Sequence, residues 1–261
     1  MCGRYAATKN PATLATEFDA IDGTGDDAPA PDHNVAPTKS VISVVQRHPR
    51  EPDGTPDPDH TERSLRVMRW GLVPHWAKER SIGSKMINAR ADTAATKPAF
   101  KTSLAKRRCL LPADGWFEWR RDGTGKQPFF MTRTDGESLA LAGIWSTWHD
   151  PNGDQDAPPV ITCAVLTVDS VGDLRDIHDR MPLLLGPDSW SSWLDPDAQH
   201  VDDIAALLDH ADPATVAALE LRPVSSAVNS VRNNGPDLVK PVELATELDP
   251  PTLFDSEQAR R

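Results

Sequence analysis

Short runs of β-branched and aromatic residues, separated by polar and turn-forming stretches, dominate the hydrophobic pattern of the chain. The runs are four to nine residues long, which is typical of strands and short for helices. We predict strands at 41–45, 64–70, 129–132, 139–144 and 160–168. The pattern therefore predicts a domain built mainly from short strands.

Helical periodicity is restricted to a few short segments. We predict helices at 11–18, 188–194, 202–208 and 213–219. Asp202 and Asp212 are candidate N-caps for the last two, because a carboxylate there accepts hydrogen bonds from free backbone N–H groups. Strands with a few helices predict an α+β domain based on antiparallel pairing.

The glycine-rich segment 121–126, with the sequence RDGTGK, is interpreted as a hairpin connection between two strands. A phosphate-binding loop needs a longer glycine spacing before the lysine and a helix after it. Here Pro128 and two phenylalanines follow, which favours a strand. We therefore reject the phosphate-loop interpretation.

Two polar segments and the C-terminus have too few apolar residues to fold by themselves. The acidic segment 19–32 and the Pro/Asp/His-rich segment 48–60 are expected to be loops or disordered. We divide the chain into one catalytic domain at 1–242 and a flexible tail at 243–261. The 261-residue length is compatible with a single core.

Cysteine content and hydrophobicity exclude several classes of protein. Three cysteines form an odd set without metal-ligand spacing, so we expect no disulfide, metal or cofactor. No stretch approaches ~18 apolar residues, and no secretory leader is visible. We expect a monomeric, cytoplasmic, nucleoid-associated protein with reduced thiols.

The charge distribution points to an anionic partner in spite of a net charge of -11. Segment 78–108 contains nine basic residues against the two acids Glu79 and Asp92, a local balance of +7, so the remainder carries -18. Phosphate binding draws free energy from such basic groups, although a charged run is often only a solvated surface. The segment is a candidate anion-binding region.

The N-terminus carries the most reactive candidate residue. Cys2 follows the initiator methionine, and its small side chain permits removal of Met1. The mature Cys2 would then combine an α-amine, with a pKa near ~8, and a thiol, with a pKa near ~8.5. Both groups would be partly reactive at neutral pH, as N-terminal-nucleophile chemistry or aldehyde capture requires.

Several motifs, taken in order, resemble one family closely. They are MCGR at 1–4, HNVAPT at 33–38, WGLVPHW at 70–76, NARADT at 88–93, RCLLPADGWFEW at 108–119 and IHDRMP at 177–182. The chain resembles the SRAP family of abasic-site processing proteins, also called SOS response-associated peptidases, from residue 1 to about 242. His33 stands where Tyr is common and Asp92 where Glu is common, neither at the proposed chemistry. The resemblance implies a barrel-like, twisted, mainly antiparallel sheet with peripheral helices.

The resemblance implies covalent capture of abasic sites in single-stranded DNA during the DNA damage response. The Cys2 amine would form a Schiff base with the sugar aldehyde, and the thiol would close a thiazolidine. Glu118, among aromatic residues, would be the general acid/base. His178 would assist sugar-ring opening or crosslink reversal. Asn88 would orient the Cys2 amine or a sugar hydroxyl.

The residues expected to bind DNA are three arginines and one tryptophan. Arg4, Arg90 and Arg180 suit phosphate oxygens, because a guanidinium forms two parallel hydrogen bonds. Trp76 could stack on a base beside the missing one. We predict that Trp145, Trp190 and Trp193 belong to the hydrophobic core, because they lie in apolar runs or at helical spacing.

Two other function classes stay open at this point. A peptidase or amidohydrolase could use Cys2 as an N-terminal nucleophile, and Glu118 and His178 could support self-removal of Met1. Amidotransferases of that kind also begin Met-Cys-Gly, but their later motifs are missing here. A DNA-binding module without chemistry would leave the reactive terminus unexplained. A tail segment with Leu253 and Phe254 resembles peptides that bind replication sliding clamps, a second predicted partner.

Overall fold

The computed structural model describes residues 2–123, 125–154 and 156–244. Its strands are β1 Tyr5–Ala7, β2 Ile21–Asp22, β3 Asp32–Val35, β4 Ser40–Arg47, β5 Glu62–Trp70, β6 Asn88–Arg90, β7 Arg108–Ala113, β8 Gly115–Asp122, β9 Gly125–Arg133, β10 Leu139–Trp148, β11 Val160–Asp169, β12 Arg180–Pro182 and β13 Leu219–Pro223. All five strands predicted from the hydrophobic runs are present, and each is longer than predicted. The fold is α+β and mostly sheet, as predicted.

One sheet closes on itself through a parallel contact. Its order is β12-β11-β10-β7-β4-β5-β2, with β6 beside β11. β11 also pairs with β5, where Cys163 lies opposite Trp70, so β11, β10, β7, β4 and β5 form a ring. Gly143 is required inside it, because an added Cβ would meet Leu111 Cδ1 at 2.3 Å. The barrel-like sheet expected from the resemblance is thus a partial ring with one parallel closure.

A second sheet, in the order β13-β9-β8-β1-β3, carries the N-terminus. β7 runs into β8 through Asp114 alone, which connects the two sheets. β8 and β9 form the predicted hairpin, and the last pair is Asp122 with Gly125. Gly123 has a φ of +52° in the turn, a conformation that glycine adopts without strain.

Helices cover the sheets and are short. They are α1 Pro11–Glu17, α2 Ala91–Ala94, α3 Lys101–Lys106, α4 Pro187–Leu194, α5 Ala205–Leu208 and α6 Pro213–Ala217. Short 3₁₀ segments lie at Gly25–Asp27, Arg80–Lys85, Gly172–Asp176, Val201–Ile204, Ser226–Asn229 and Pro236–Val239. In the described part of the chain, no helix has the length and apolar character needed to cross a membrane.

The helix caps confirm one prediction and correct another. Asp212 accepts a hydrogen bond from the Thr215 backbone N–H and caps α6 as predicted. Asp202 is not a cap, because the 202–208 segment begins with a 3₁₀ turn capped by His200. The Asp203 carboxylate accepts a hydrogen bond from the His200 backbone N–H and so completes the cap.

The predicted loop segments contain little regular structure. Segment 19–32 includes the two-residue β2, one 3₁₀ turn and the first residue of β3, and segment 48–60 has an isolated bridge between Arg50 and Pro56. The three cysteines are free and buried. The tail residues 245–261, with Leu253 and Phe254, lie outside the described residues.

The tryptophans divide into buried and half-buried groups. Trp193 is buried, as predicted, and donates from Nε1 to the Cys109 carbonyl at 2.9 Å. Trp190 is half-buried and stacks on Phe18 at 4.5 Å. Trp145 is also half-buried and packs against the core, as predicted, while the Arg47 guanidinium lies against its ring.

Candidate active site

Cys2 lies buried just before β1, with its side chain 0% exposed. Asn88 Nδ2 donates a hydrogen bond to the Cys2 carbonyl oxygen at 2.7 Å. Burial, and secondarily the negative charge of Glu118, raise the pKa of the Cys2 thiol far above its usual value. Burial therefore favours the protonated thiol in the chain that begins at Met1, whereas the partly ionised thiol expected of a mature Cys2 terminus stays a prediction.

Glu118 is the carboxylate whose negative charge acts on the Cys2 thiol. It lies on β8 opposite Phe129 and is 4% exposed. Burial raises the pKa of Glu118 to about 7, and the negative charge of Asp179 acts in the same direction. Glu118 can therefore both donate and accept a proton near neutral pH, as a general acid/base requires.

His178 is half-buried beside the same cluster. Its Nδ1 accepts from the Arg180 backbone N–H at 3.0 Å and lies 2.8 Å from Asp179 Oδ1. The first contact suits the neutral ring, and the second suits the protonated ring. Burial lowers the pKa of His178, although the Asp179 charge opposes this shift. The neutral form therefore dominates at neutral pH.

Asn88 is positioned by the short parallel strand β6. It lies opposite Val165 and Arg90 lies opposite Thr167 on β11, so β6 is held along its length. While Nδ2 is bonded to Cys2, Asn88 Oδ1 is buried and accepts no hydrogen bond from the described residues. An open acceptor therefore lies next to the Cys2 backbone. The structure groups the four predicted catalytic residues: Cys2, Asn88, Glu118 and His178.

The four residues predicted to bind DNA occupy different environments. Trp76 is 52% exposed, with much of its side chain open for stacking. Arg90 is exposed and forms a two-point ion pair with Asp92, with Nη2 and Oδ2 2.7 Å apart. Both residues are accessible to a ligand on the surface.

The other two arginines, Arg4 and Arg180, form hydrogen bonds within the protein. Arg4 Nη1 donates to Asn34 Oδ1 at 2.7 Å and to the Val228 carbonyl at 2.9 Å, which connects the terminus to a distant loop. Arg180 is only 7% exposed, and it donates to the Thr167 carbonyl and to Asp169 Oδ1, both at 2.5 Å. Their observed contacts are structural, and phosphate binding by them stays a prediction.

Sequence reasoning missed the charged neighbours that tune the site. Asp179 contacts His178 and raises the pKa of Glu118, whereas the positive charge of Arg121 lowers the pKa of His178. Asp179 follows His178 directly, so adjacency was an available signal. Arg121 was assigned only to the hairpin, and only the pairing of β8 brings it near His178.

Comparison with known families now identifies the chain's relatives. The sequence model of SRAP, SOS response associated peptidase, matches residues 1–231. The chain belongs to the SRAP family. The SRAP abasic site processing protein YoqW of Bacillus subtilis is 34% identical over 241 residues, covering 92% of this chain and 99% of that protein.

Two further comparisons extend the SRAP match. The abasic site processing protein YedK of Escherichia coli is 34% identical over 248 residues, covering 93% of this chain and all of YedK. A crystal structure of a Bacteroides thetaiotaomicron protein shares the fold with a TM-score of 0.73, 23% identity and coverage of 93% of this chain and 100% of that one. Within the described SRAP domain, no group of three or more His, Cys, Asp or Glu residues could hold a metal ion.

Proposed function

We propose that this protein captures abasic sites in single-stranded DNA as a covalent crosslink through the mature N-terminal Cys2. The observation that carries the proposal is the grouping of Cys2, hydrogen-bonded by Asn88, with a carboxylate whose pKa is about 7. The names of YoqW and YedK, abasic site processing proteins, support the substrate class. The predicted cytoplasmic, nucleoid-associated location follows from this substrate.

The chemistry begins with the ring-opened sugar, which presents an aldehyde at C1′. The Cys2 amine attacks this carbon, and loss of water gives a Schiff base. The Cys2 thiol then adds across the C=N bond: sulfur bonds to C1′, its proton passes to nitrogen, and a five-membered thiazolidine results. Intramolecular additions of this kind reach effective molarities of ~10⁵ M or more. A protonated thiol is compatible with this order of events.

Glu118 supplies the proton transfers of the first step. Loss of water requires a proton on the departing hydroxyl and removal of a proton from the attacking amine. A carboxyl group with a pKa of about 7 exchanges both near neutral pH. Burial keeps this carboxyl from being permanently ionised, as an exposed glutamate would be.

His178 acts on the sugar and not on the thiol. As a neutral ring it can take up and return a proton at the sugar oxygen while the ring opens. The same exchange would assist hydrolysis of the Schiff base when the crosslink reverses. Asp179, 2.8 Å from Nδ1, stabilises the transient imidazolium.

Binding of the strand is assigned to exposed groups near the site. Trp76 offers an aromatic surface that is indifferent to base identity, and Arg90 offers a guanidinium already oriented by Asp92. Base stacking on an aromatic ring contributes about 1–3 kcal/mol. This combination suits recognition of damage without a sequence code.

Removal of Met1 is part of the proposal, since the amine must belong to Cys2. Met1 lies outside the described residues. The family description as a peptidase supports self-removal, with Glu118 and His178 as the proton-transferring groups. We assign no general peptidase activity.

The decisive experiment incubates the purified protein, with its N-terminus verified by mass spectrometry, with single-stranded DNA containing one abasic site. We expect a heat-stable shift on a denaturing gel and an adduct mass equal to protein plus DNA minus one water. Cys2→Ala should give none. Undamaged DNA is the substrate control. An intact Cys2 terminus without an adduct would reject the proposal and direct attention to amide substrates.

A further inference from the structure

A second cluster of cationic and aromatic residues lies on the outer end of three neighbouring ring strands. Val44 on β4 pairs with Leu110 on β7, so the antiparallel register brings Arg47 opposite Arg107. The Trp145 backbone N–H donates to the Arg107 carbonyl at 2.8 Å, which extends the row to β10. Arg47, Arg107 and Trp145 thus form one row, here called the Arg47 cluster.

Both guanidinium groups of the Arg47 cluster lie against the same indole ring. The guanidinium carbon of Arg47 is 4.7 Å from the Trp145 ring centroid, and that of Arg107 is 5.5 Å from it. Cations at these distances are attracted by the negative ring face. Two like charges are therefore held close together on an aromatic support, with N–H groups left to bind an acceptor.

The positive charge of the cluster is not neutralised by the protein. Among the described residues, neither Arg47 nor Arg107 forms an ion pair with a carboxylate. Glu62 lies opposite Arg47 in the β4–β5 register, yet no ion pair forms between them. The Arg47 side chain donates a hydrogen bond from Nη1 to the Lys106 carbonyl at 3.1 Å. An uncompensated cation pair in a chain of net charge -11 indicates an anion site.

A buried third arginine strengthens the field at this place. Arg108 donates to main-chain carbonyl oxygens of Leu104, Ala105, Trp193 and Asp195. These carbonyls satisfy its donors, and the negative charges of Asp195 and Asp203 offset part of its positive charge. Burial lowers the pKa of Arg47, and the charges of Arg107 and Arg108 lower it further, which shows how strongly the cations interact.

The Arg47 cluster is separate from the Cys2 site. Arg47 pairs with Glu62 at one end of β4–β5, whereas Ser40 pairs with Arg69 at the other. Seven residues of strand separate these ends, about 23 Å. Trp70 lies at the second end, and its ring packs on Tyr5, three residues from Cys2.

We propose that Arg47 and Arg107 form a second phosphate-binding site, distinct from the Cys2 site. A guanidinium can donate two parallel hydrogen bonds to the oxygens of one phosphate group. The Trp145 indole holds both guanidinium groups in place. The phosphate comes either from the flank of the strand bound at Cys2 or from a free nucleotide. The first source rests on the proposed function. The distance of about 23 Å between the two ends of β4–β5 can be spanned by no more than about seven nucleotides.

The test measures DNA binding at equilibrium in the Cys2→Ala background, where no crosslink forms. Fluorescence anisotropy with undamaged 6-nucleotide and 25-nucleotide single strands is recorded over a salt series for the protein with and without Arg47→Gln/Arg107→Gln. If the strand flank binds, we expect about tenfold weaker binding of the 25-mer and a log–log salt slope smaller by about 1.4. The 6-mer should be unaffected.

A second arm uses ATP, followed by tryptophan fluorescence, to detect the free-nucleotide source. If that source is correct, ATP binds the parent protein and the double variant loses it, while the 25-mer is unaffected. Unchanged 25-mer affinity together with no ATP binding overturns the proposal. Arg47→Lys/Arg107→Lys should retain most of the salt slope, because the positive charges stay. Its affinity for the 25-mer should be lower than that of the parent, because lysine cannot donate two parallel hydrogen bonds to one phosphate.

Controls separate this proposal from folding and from the Cys2 chemistry. Lys126→Gln/Lys240→Gln removes two exposed positive charges away from the Arg47 cluster and should leave both probes unchanged. Thermal melting verifies that every variant is folded. Crosslinking of abasic DNA by the Cys2-containing protein is measured in parallel. Failure of crosslinking with an intact anisotropy effect would reject the proposed function and leave the phosphate site standing.

Discussion

The Cys2 site and the Arg47 cluster differ in how the protein treats charge. At the Cys2 site, burial raises the pKa of Glu118 to about 7 and lowers the pKa of His178, so it favours the neutral form of both groups. In the Arg47 cluster, two half-exposed arginines lie against one indole ring. Burial prepares groups for chemistry, and partial exposure keeps them charged for binding.

The largest effect is expected from Glu118→Gln. The amide cannot exchange protons, so crosslink formation with abasic DNA should slow by about 10²–10⁴-fold. Quenched time courses on denaturing gels measure the rate, and the pH profile should lose its inflection near 7. Glu137→Gln, in an exposed turn, is the matched control. A rate within twofold of the parent would remove Glu118 from the mechanism.

The raised pKa of Glu118 also has a cost in folding. Because the folded pKa lies above the usual 4.5, the folded protein binds more protons between these values, so its stability falls as pH rises through 7. The change amounts to about 3 kcal/mol in the free energy of unfolding. Urea denaturation from pH 4.5 to 8 should show this loss in the parent relative to Glu118→Gln. Parallel pH curves for the two would contradict the shift.

Arg108→Met tests how much the buried arginine beside the Arg47 cluster contributes to folding stability. Its removal leaves buried carbonyls without a donor and should lower the free energy of unfolding by about 2–3 kcal/mol. The crosslinking rate of the folded fraction should stay the same, because Arg108 takes no part in the Cys2 site. A stable but inactive variant would show that the two regions are coupled.

The smallest effect concerns the exposed Trp76. Trp76→Ala should weaken single-strand binding by about 1–3 kcal/mol with an unchanged salt slope, because stacking involves no ion release. The double substitution in the Arg47 cluster should instead change that slope. Anisotropy over a salt series distinguishes the two. A changed slope for Trp76→Ala would assign it an indirect role through nearby charges.

Local features of the sequence predicted much of the secondary structure. The β-rich runs became strands because alternating apolar side chains must face a core, and the 121–126 turn became a hairpin because Gly123 accepts a positive φ. Short strands such as β6 were missed, since three residues such as Asn88–Arg90 carry no periodicity. Asp202 is not a cap because it lies inside the 3₁₀ turn Val201–Ile204, which His200 caps.

By itself, the sequence indicated the family and named Cys2, Asn88, Glu118 and His178 as candidate site residues, whose roles stay predictions. Only the tertiary structure decided the surroundings of the side chains: that Cys2 is buried, that Arg180 is nearly buried, and that three strands align the Arg47 cluster. The physical reason is that residue types follow from local chemistry, whereas burial, charge coupling and ring closure depend on segments far apart in the chain.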